Sequence, residues 1–289
     1  MITVTAASGH LGRLVLTDLL DRGLPAEQIA AVARTPEKVA AFTARGVQVR
    51  QADYARPDTL GVALAGATKL LFISGSEVGQ RRAQHRNVIE AAQAAGVGMI
   101  AYTSILKADT SSVPLAEEHL ATEHMIRESG LPFVFLRNGW YLENYTEAGL
   151  PQALATGSVI GSAGTGRVAA ATRADFAAAA VAVLTAAGPV SPAGTVYELG
   201  GDQPFTLAEL AAEISRQVGR EITYQDLPAD VYAKALTDAG VPEPMAAALA
   251  ASDVGIARGD LTTDSGDLSR LIGRPTTSLA DAVRTAIVG

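Results

Sequence analysis

Cysteine is absent from the chain, and tryptophan occurs once. The first absence removes disulfides, thiolate nucleophiles and thiolate-ligated zinc together. Histidine is nearly as scarce, confined to His10, His85, His119 and His124. His119 and His124 stand five apart and no H-E-x-x-H helix is present, so no metal site is expected. Cations are outnumbered, 23 Lys and Arg against 30 Asp and Glu, giving a net charge of −7. Phosphate backbones need a basic face, so nucleic acid is not an expected partner. No apolar run reaches the about 18 residues of a membrane span, and no membrane partner is expected. Residues 1–12 read as a strand entering a turn, without the charged, apolar and cleavage segments of a signal peptide. A cytoplasmic protein with a small organic ligand is the expectation.

What is present is alternation. Apolar runs at 2–5, 29–33, 47–51, 69–74, 99–103 and 133–137 predict strands. Amphipathic stretches at about 10–22, 36–45, 57–65, 79–95 and 115–129 predict the helices between them. Gly23, Pro25, Gly46, Pro57, Gly66, Gly96, Gly130 and Pro132 fall at the joints. Successive βαβ units with right-handed crossovers make a parallel sheet. The expected class is α/β, a Rossmann-type doubly wound parallel sheet with a smaller C-terminal α/β substrate-binding part. In that second part, helices are expected near 174–187, 206–218, 228–239, 242–251 and 278–287, and strands at 196–199 and 222–225. The Gly- and Ser-rich residues 157–166 read as an interruption.

A phosphate-binding turn needs small residues that let backbone N–H groups approach a pyrophosphate, with a helix starting directly behind. Thr5-Ala6-Ala7-Ser8-Gly9-His10-Leu11-Gly12 meets that need, with Leu14, Val15, Leu19 and Leu20 marking the apolar face of the helix that follows. Ala7, Ser8, Gly9, His10 and Leu11 are the expected cradle of a dinucleotide. Residues 1–137 are therefore expected to form the NAD(P)-binding domain and 138–289 a smaller substrate-binding region, with segments in about 160–200 returning to the sheet. Ala6 stands where a first glycine usually makes the turn. If φ there is positive, its Cβ costs about 1 kcal/mol or more.

A carboxylate at the end of the second strand would hold the ribose 2′-hydroxyl of NADH, whereas a cation there accommodates the 2′-phosphate of NADPH. The chain reads Ala33-Arg34-Thr35-Pro36-Glu37-Lys38, so Arg34 and Lys38 favour NADPH, with NADH left open. Arg34 as a solvated cation, or stacked on adenine, is the alternative. Asp53 is expected to meet the adenine amino group, ahead of a role capping the helix near Pro57. Ser74, Gly75, Ser76, Thr103 and Ser104 follow strands and should border the same crevice.

Several runs together carry a resemblance: Ser74-Gly75-Ser76-Glu77-Val78-Gly79-Gln80-Arg81, His85-Arg86-Asn87, Ile100-Ala101-Tyr102-Thr103-Ser104, Arg137-Asn138-Gly139-Trp140-Tyr141-Leu142-Glu143-Asn144-Tyr145 and Ala171-Thr172-Arg173-Ala174-Asp175. The chain resembles the type 2 NAD(P)H:quinone oxidoreductases, NmrA-like atypical short-chain dehydrogenases, over nearly its whole length. The resemblance implies NADPH on the glycine turn, Arg34, Ser74, Gly75, Ser76, Asn138, Gly139, Trp140, Tyr141, Glu143 and Arg173. It also implies a quinone, or another small aromatic substrate, near Ser104, Trp140, Tyr141, Asn144 and Tyr145. Trp140 and Tyr141 are the implied reaction-centre residues. The planar Trp140 ring suits a flat quinone, and packing between domains is its alternative. A homo-oligomer is compatible with the resemblance.

Ordinary short-chain dehydrogenases protonate a carbonyl with a Tyr-x-x-x-Lys pair. Here the place four before His119 is Leu115, so that acid is missing. Reducing an isolated ketone without a proton donor is unfavourable. Hydride transfer to a quinone demands less, because the hydroquinone anion is delocalised. His119 is left either as a proton relay with Glu117 or Glu118, or as a helix-surface histidine. Two other functions stay open: tailoring of a polycyclic aromatic quinone, and a redox-sensing dinucleotide regulator without turnover.

Overall fold

A computed structural model describes residues 1–77, 79–188 and 194–288. Val78, which belongs to the 74–81 run, lies outside the described residues. In chain order the elements are β1 (Ile2–Val4), α1 (His10–Asp21), β2 (Ile29–Ala33), α2 (Ala40–Thr43), β3 (Gln48–Gln51), α3 (Pro57–Leu64), β4 (Lys69–Phe72), α4 (Arg81–Ala94), β5 (Met99–Ile105), α5 (Pro114–Glu128) and β6 (Phe133–Asn138). They continue as α6 (Leu150–Thr156), β7 (Ser158–Gly161), α7 (Arg173–Thr185), β8 (Thr195–Leu199), α8 (Leu207–Val218), β9 (Thr223–Asp226), α9 (Ala229–Asp238), α10 (Glu243–Ala257), α11 (Asp267–Ile272) and α12 (Leu279–Val288). A π-helical turn spans Asn144–Gly149.

Among the described residues, strands β3-β2-β1-β4-β5-β6-β8 form one sheet and β7-β9 a second. The pairs β1–β2, β1–β4, β2–β3 and β4–β5 are parallel, as the alternating pattern requires. The strand order reverses between β1 and β4, and in open α/β sheets ligands bind outside the carboxyl ends of the strands at that switch point. β1, β2 and β5 are buried throughout, which suits a sheet covered on both faces.

The chain divides into two compact units. The first holds Met1–Ile105, Glu118–Arg137 and Arg173–Tyr197, and the second Leu106–Glu117, Asn138–Thr172 and Glu198–Gly289. The division does not coincide with a single cut after residue 137, because α7 packs against α1 inside the first unit. Lys69 Nζ donates to the carbonyls of Leu184 and Ala186 at 2.8 and 2.9 Å, closing the C-terminal end of α7 where a cation is favoured. In the second unit β7 pairs in parallel with β9, so residues 158–161 within the expected interruption are a strand. Among the described residues no helix is long and apolar enough to cross a membrane.

Candidate active site

The glycine turn sits at the carboxyl end of β1. Ala6 has φ 48°, a left-handed conformation that costs an alanine about 1–2 kcal/mol. Gly12 is where the helix touches the turn: a Cβ there would lie 2.7 Å from the Ala6 carbonyl oxygen and 2.8 Å from Ala7 Cα. Gly9 takes the N-cap position of α1, with no side-chain cap hydrogen bond among the described residues. The first N–H groups of a helix have no acceptor within it, so those of His10 and Leu11 lie at the positive end of the helix dipole without an acceptor in α1. The donors of Ala7 and Gly9 are spent inside the protein, on Val32 and Ala6 carbonyls, both at 3.0 Å. These two residues shape the cradle without donating to it. Arg13 braces the turn, its guanidinium donating to the Ser8 carbonyl at 3.0 Å and the Lys38 carbonyl at 2.7 Å.

Arg34 follows β2 at the surface, and its Nη1 donates to Glu77 Oε1 at 2.7 Å. Lys38 is exposed nearby on the short helical turn that includes it. Asp53 accepts the Ala55 N–H on Oδ1 at 2.9 Å, which organises its own turn without capping α3. Tyr54 next to it is anchored more deeply: its hydroxyl donates to the Ile73 carbonyl at 2.9 Å and lies 2.5 Å from Thr5 Oγ1. Burial pushes that phenol above its ordinary range. The ends of β1 and β4 are thereby tied together at the switch point.

The loop after β4 is pinned from below. Ser74 N–H donates to Thr103 Oγ1 at 2.9 Å, and Gly75 N–H to His85 Nε2 at 3.0 Å. That second bond fixes the proton of His85 on Nδ1, which donates to Thr122 Oγ1 at 2.8 Å. Burial, then the Arg81 guanidinium, pushes His85 down to about 3, so it stays neutral and keeps this role. Arg81 Nε donates to the Gly75 carbonyl at 2.6 Å, and Gly79 N–H to Glu118 Oε1 at 2.8 Å. Gly75 is half-buried, whereas Ser76 is exposed.

On the inward face of α5 the polar side chains are committed. Glu123 is fully buried and receives Arg137 Nε and Nη2 at 2.9 and 2.8 Å, a bidentate pair. Ser104 donates to the same carboxylate at 2.7 Å and is itself buried. Ser104, expected near substrate, turns its hydroxyl to Glu123, since alternation along β5 directs Tyr102 and Ser104 toward α5 and Thr103 the other way. His119 is a buried residue, not a helix-surface one, with Nδ1 2.8 Å from the Tyr102 hydroxyl. Burial holds its imidazole well below the ordinary value and lifts the Tyr102 phenol above its own. Glu118, one of its expected relay partners, is engaged by Gly79 and Arg81. Arg173 opens α7, also within the first unit.

In the second unit, the Asn138 carbonyl accepts the Leu106 N–H at 2.9 Å, while its buried side-chain Oδ1 has no hydrogen-bond partner among the described residues. Gly139 admits no side chain, since a Cβ would lie 3.0 Å from the carbonyl oxygens of both Ala169 and Leu199. Trp140 and Leu142 are clamped by backbone bonds to Ala171, and Tyr141 forms an isolated bridge with it. Trp140, Tyr141, Glu143 and Asn144 are half-buried. Tyr145 lies in the π-helical turn, a distortion frequent at functional sites, edge-on to Phe205 with ring centroids 5.8 Å apart. Its buried hydroxyl also has no partner among the described residues. Nearby, Asp253 accepts the Ser162 N–H at 2.8 Å, and burial pushes its carboxyl up to about 6.

Residues 6–187 match the family described as NAD(P)H-binding. Quinone oxidoreductase 2 of Escherichia coli strain K12 is 53% identical over 283 residues, covering 98% of this chain and 97% of that protein. The chain belongs to the NAD(P)H-binding family of the type 2 quinone oxidoreductases. The crystal structure of the Escherichia coli NADPH-dependent quinone oxidoreductase complexed with NADPH superposes with a TM-score of 0.95, 52% identity and coverage of 99% and 100% of the two chains. The NADP(H) complex of Citrobacter sp. triphenylmethane reductase gives 0.94, 41% identity, and coverage of 99% and 100%.

The residues of this quinone oxidoreductase relative that reasoning from sequence missed are the supports. Tyr54, Arg81 and His85 hold the strand ends and the loop, Glu118 joins them in place of its expected relay role, and Asp253 sits beside the second unit's tyrosines. For His85 a signal existed. It falls on the α4 stripe of Arg81, Gln84, His85, Val88, Ile89 and Ala92, all buried at helical spacing.

Proposed function

We propose that the protein reduces quinones with NADPH, and that it works without a dedicated proton donor. The reading is carried by near full-length similarity to a quinone oxidoreductase, joined to an α5 that has no tyrosine at the proton-donor place. Leu115 occupies the tyrosine place, and His119 is a buried neutral imidazole held on Tyr102. Bound NADPH supplies the hydride. The turn at His10 and Leu11 holds the pyrophosphate, with Arg34 and Lys38 near the 2′-phosphate. Asn138 Oδ1 and the Tyr145 hydroxyl are buried polar atoms with no hydrogen-bond partner among the described residues, and such atoms are ordinarily satisfied. Asn138 thus presents an acceptor to a ligand amide and Tyr145 a donor to a quinone oxygen, while the Trp140 ring offers a flat face. The protein contributes proximity and orientation.

The triphenylmethane reductase likeness fits the same logic, since hydride addition to an electron-poor carbon centre needs no proton in that step. Tailoring of a polycyclic quinone, and regulation without turnover, have no observation in their favour. Anaerobic stopped-flow mixing of NADPH-loaded protein with benzoquinones or naphthoquinones tests the reading. Enzyme-dependent decay of the reduced nicotinamide band is expected, and its absence across both classes refutes it. Tyr145→Phe should raise KM for the quinone several-fold with kcat little changed, the mark of a binding contact.

A further inference from the structure

Arg34 is already occupied by a carboxylate. Glu77 Oε1 accepts from its Nη1 at 2.7 Å, and Glu77 Oε2 accepts from Gln84 Nε2 at 2.8 Å. Glu77 lies on a loop whose neighbours are fixed: Gly75 by His85 and Arg81, Gly79 by Glu118. The carboxylate is therefore presented to Arg34 by a braced backbone. Both side chains remain well exposed, 62% for Arg34 and 45% for Glu77, so solvent screens the pair and little is lost when it opens. A ribose 2′-phosphate, near −2 in charge and able to take a guanidinium through two oxygens, is the stronger partner.

We propose that Glu77 is a displaceable counter-ion of Arg34 that lowers the protein's preference for NADPH over NADH. The inference rests on the reading that Arg34 holds the 2′-phosphate. NADPH must break the Arg34–Glu77 pair and then sit beside the released carboxylate, which opposes it by like-charge repulsion. NADH carries no 2′-phosphate and leaves the pair in place. The handicap falls on one cofactor only, so both remain usable.

Calorimetric titration with adenosine 2′,5′-bisphosphate and with 5′-AMP isolates the effect from hydride chemistry. Glu77→Gln is expected to bind the bisphosphate about two- to five-fold more tightly, with 5′-AMP unchanged. Arg34→Ala should weaken the bisphosphate about ten-fold or more, again with 5′-AMP unchanged. In the Arg34→Ala background, adding Glu77→Gln should give little further tightening, because the pair is already gone. Unchanged bisphosphate affinity in Glu77→Gln overturns the inference while leaving the Arg34 reading intact. So does tightening that extends equally to 5′-AMP, or that persists without Arg34. If Arg34→Ala binds the bisphosphate as the wild type does, the Arg34 reading itself falls, and the role of Glu77 falls with it.

Discussion

Replacing Gly12 with alanine tests whether the glycine turn depends on close approach of backbone to backbone. The new Cβ would stand 2.7 Å from the Ala6 carbonyl oxygen, 2.8 Å from Ala7 Cα and 3.1 Å from the Ala7 carbonyl carbon. Ordinary carbon contacts lie at about 3.5–4.0 Å. None of the three atoms belongs to a side chain that can turn aside, so α1 must back away from the turn by several tenths of an ångström. Overpacking of this kind costs about 1–3 kcal/mol, and removing glycine from a helix returns about 1 kcal/mol. The net loss is up to about 2 kcal/mol, a fall in Tm of up to about 3 °C for a chain of this size. The same displacement draws the His10 and Leu11 N–H groups away from the phosphates. One charge-assisted hydrogen bond is worth about 1.5–3 kcal/mol, so NADPH affinity should drop about ten-fold or more. Gly9→Ala is the internal control, since its Cβ would meet the Ala6 oxygen at 3.3 Å and the N-cap penalty is about 0.5 kcal/mol. Thermal melts and a fluorescence titration of NADPH supply both readouts. Gly12→Ala behaving as wild type in both, or Gly9→Ala proving the worse, would refute the argument.

Acid should destabilise the first unit earlier than carboxylate chemistry alone predicts. His85 and His119 have folded values below their ordinary 6.5, so the unfolded chain binds more protons below that pH. Their contribution is complete above pH 6.5 and is lost as pH falls, by about 1.4 kcal/mol per pH unit for each. Asp253 in the second unit, raised to about 6, has the opposite sign: its contribution is present below the ordinary carboxylate value and lost as pH rises through 6. Denaturant melts at stepped pH should show His85→Asn flattening the acid slope between about pH 6.5 and 4, and Asp253→Asn steepening it, with equal slopes counting against both. Glu123→Leu leaves Arg137 buried without its carboxylate and should cost about 3–5 kcal/mol in urea melts. Adding Arg137→Met should recover most of that loss, and a double variant worse than the single one would sink the account.

Five of the first six strands were legible as short apolar runs and β3, Gln-Val-Arg-Gln, through its place in the alternation, and the structure reproduces all six within a residue or two. β7 was not, since Ser158–Gly161 holds only two apolar side chains inside a Gly- and Ser-rich stretch and finds its partner only at Thr223–Asp226, far along the chain. Local pattern carries no trace of such pairing. The departure at Ala6 was readable, and φ there is positive. The Ser104–Glu123 contact and the burial of His119 were not legible for one reason. The buried stripe of α5 runs through Ala116, His119, Thr122, Glu123 and Ile126, and polar residues at core spacing read as surface until their partners are seen. Partners such as Arg137 and Tyr102 lie on neighbouring strands, which periodicity cannot supply.

The first unit is discontinuous in sequence, and that has a consequence for biosynthesis. A ribosome that has released residue 137 has delivered six strands but neither the helix that covers α1 nor the strand beyond β6, which wait until residue 197. Those 60 or so residues take about 3–12 s to make at ordinary elongation rates of about 5–20 residues per second. During that interval the side of α1 that α7 covers and the open edge of β6 are uncovered on a nascent chain. The dinucleotide turn is complete in sequence long before the unit that carries it can close, so free cofactor meets a half-built domain, and chaperone protection is needed most in that window.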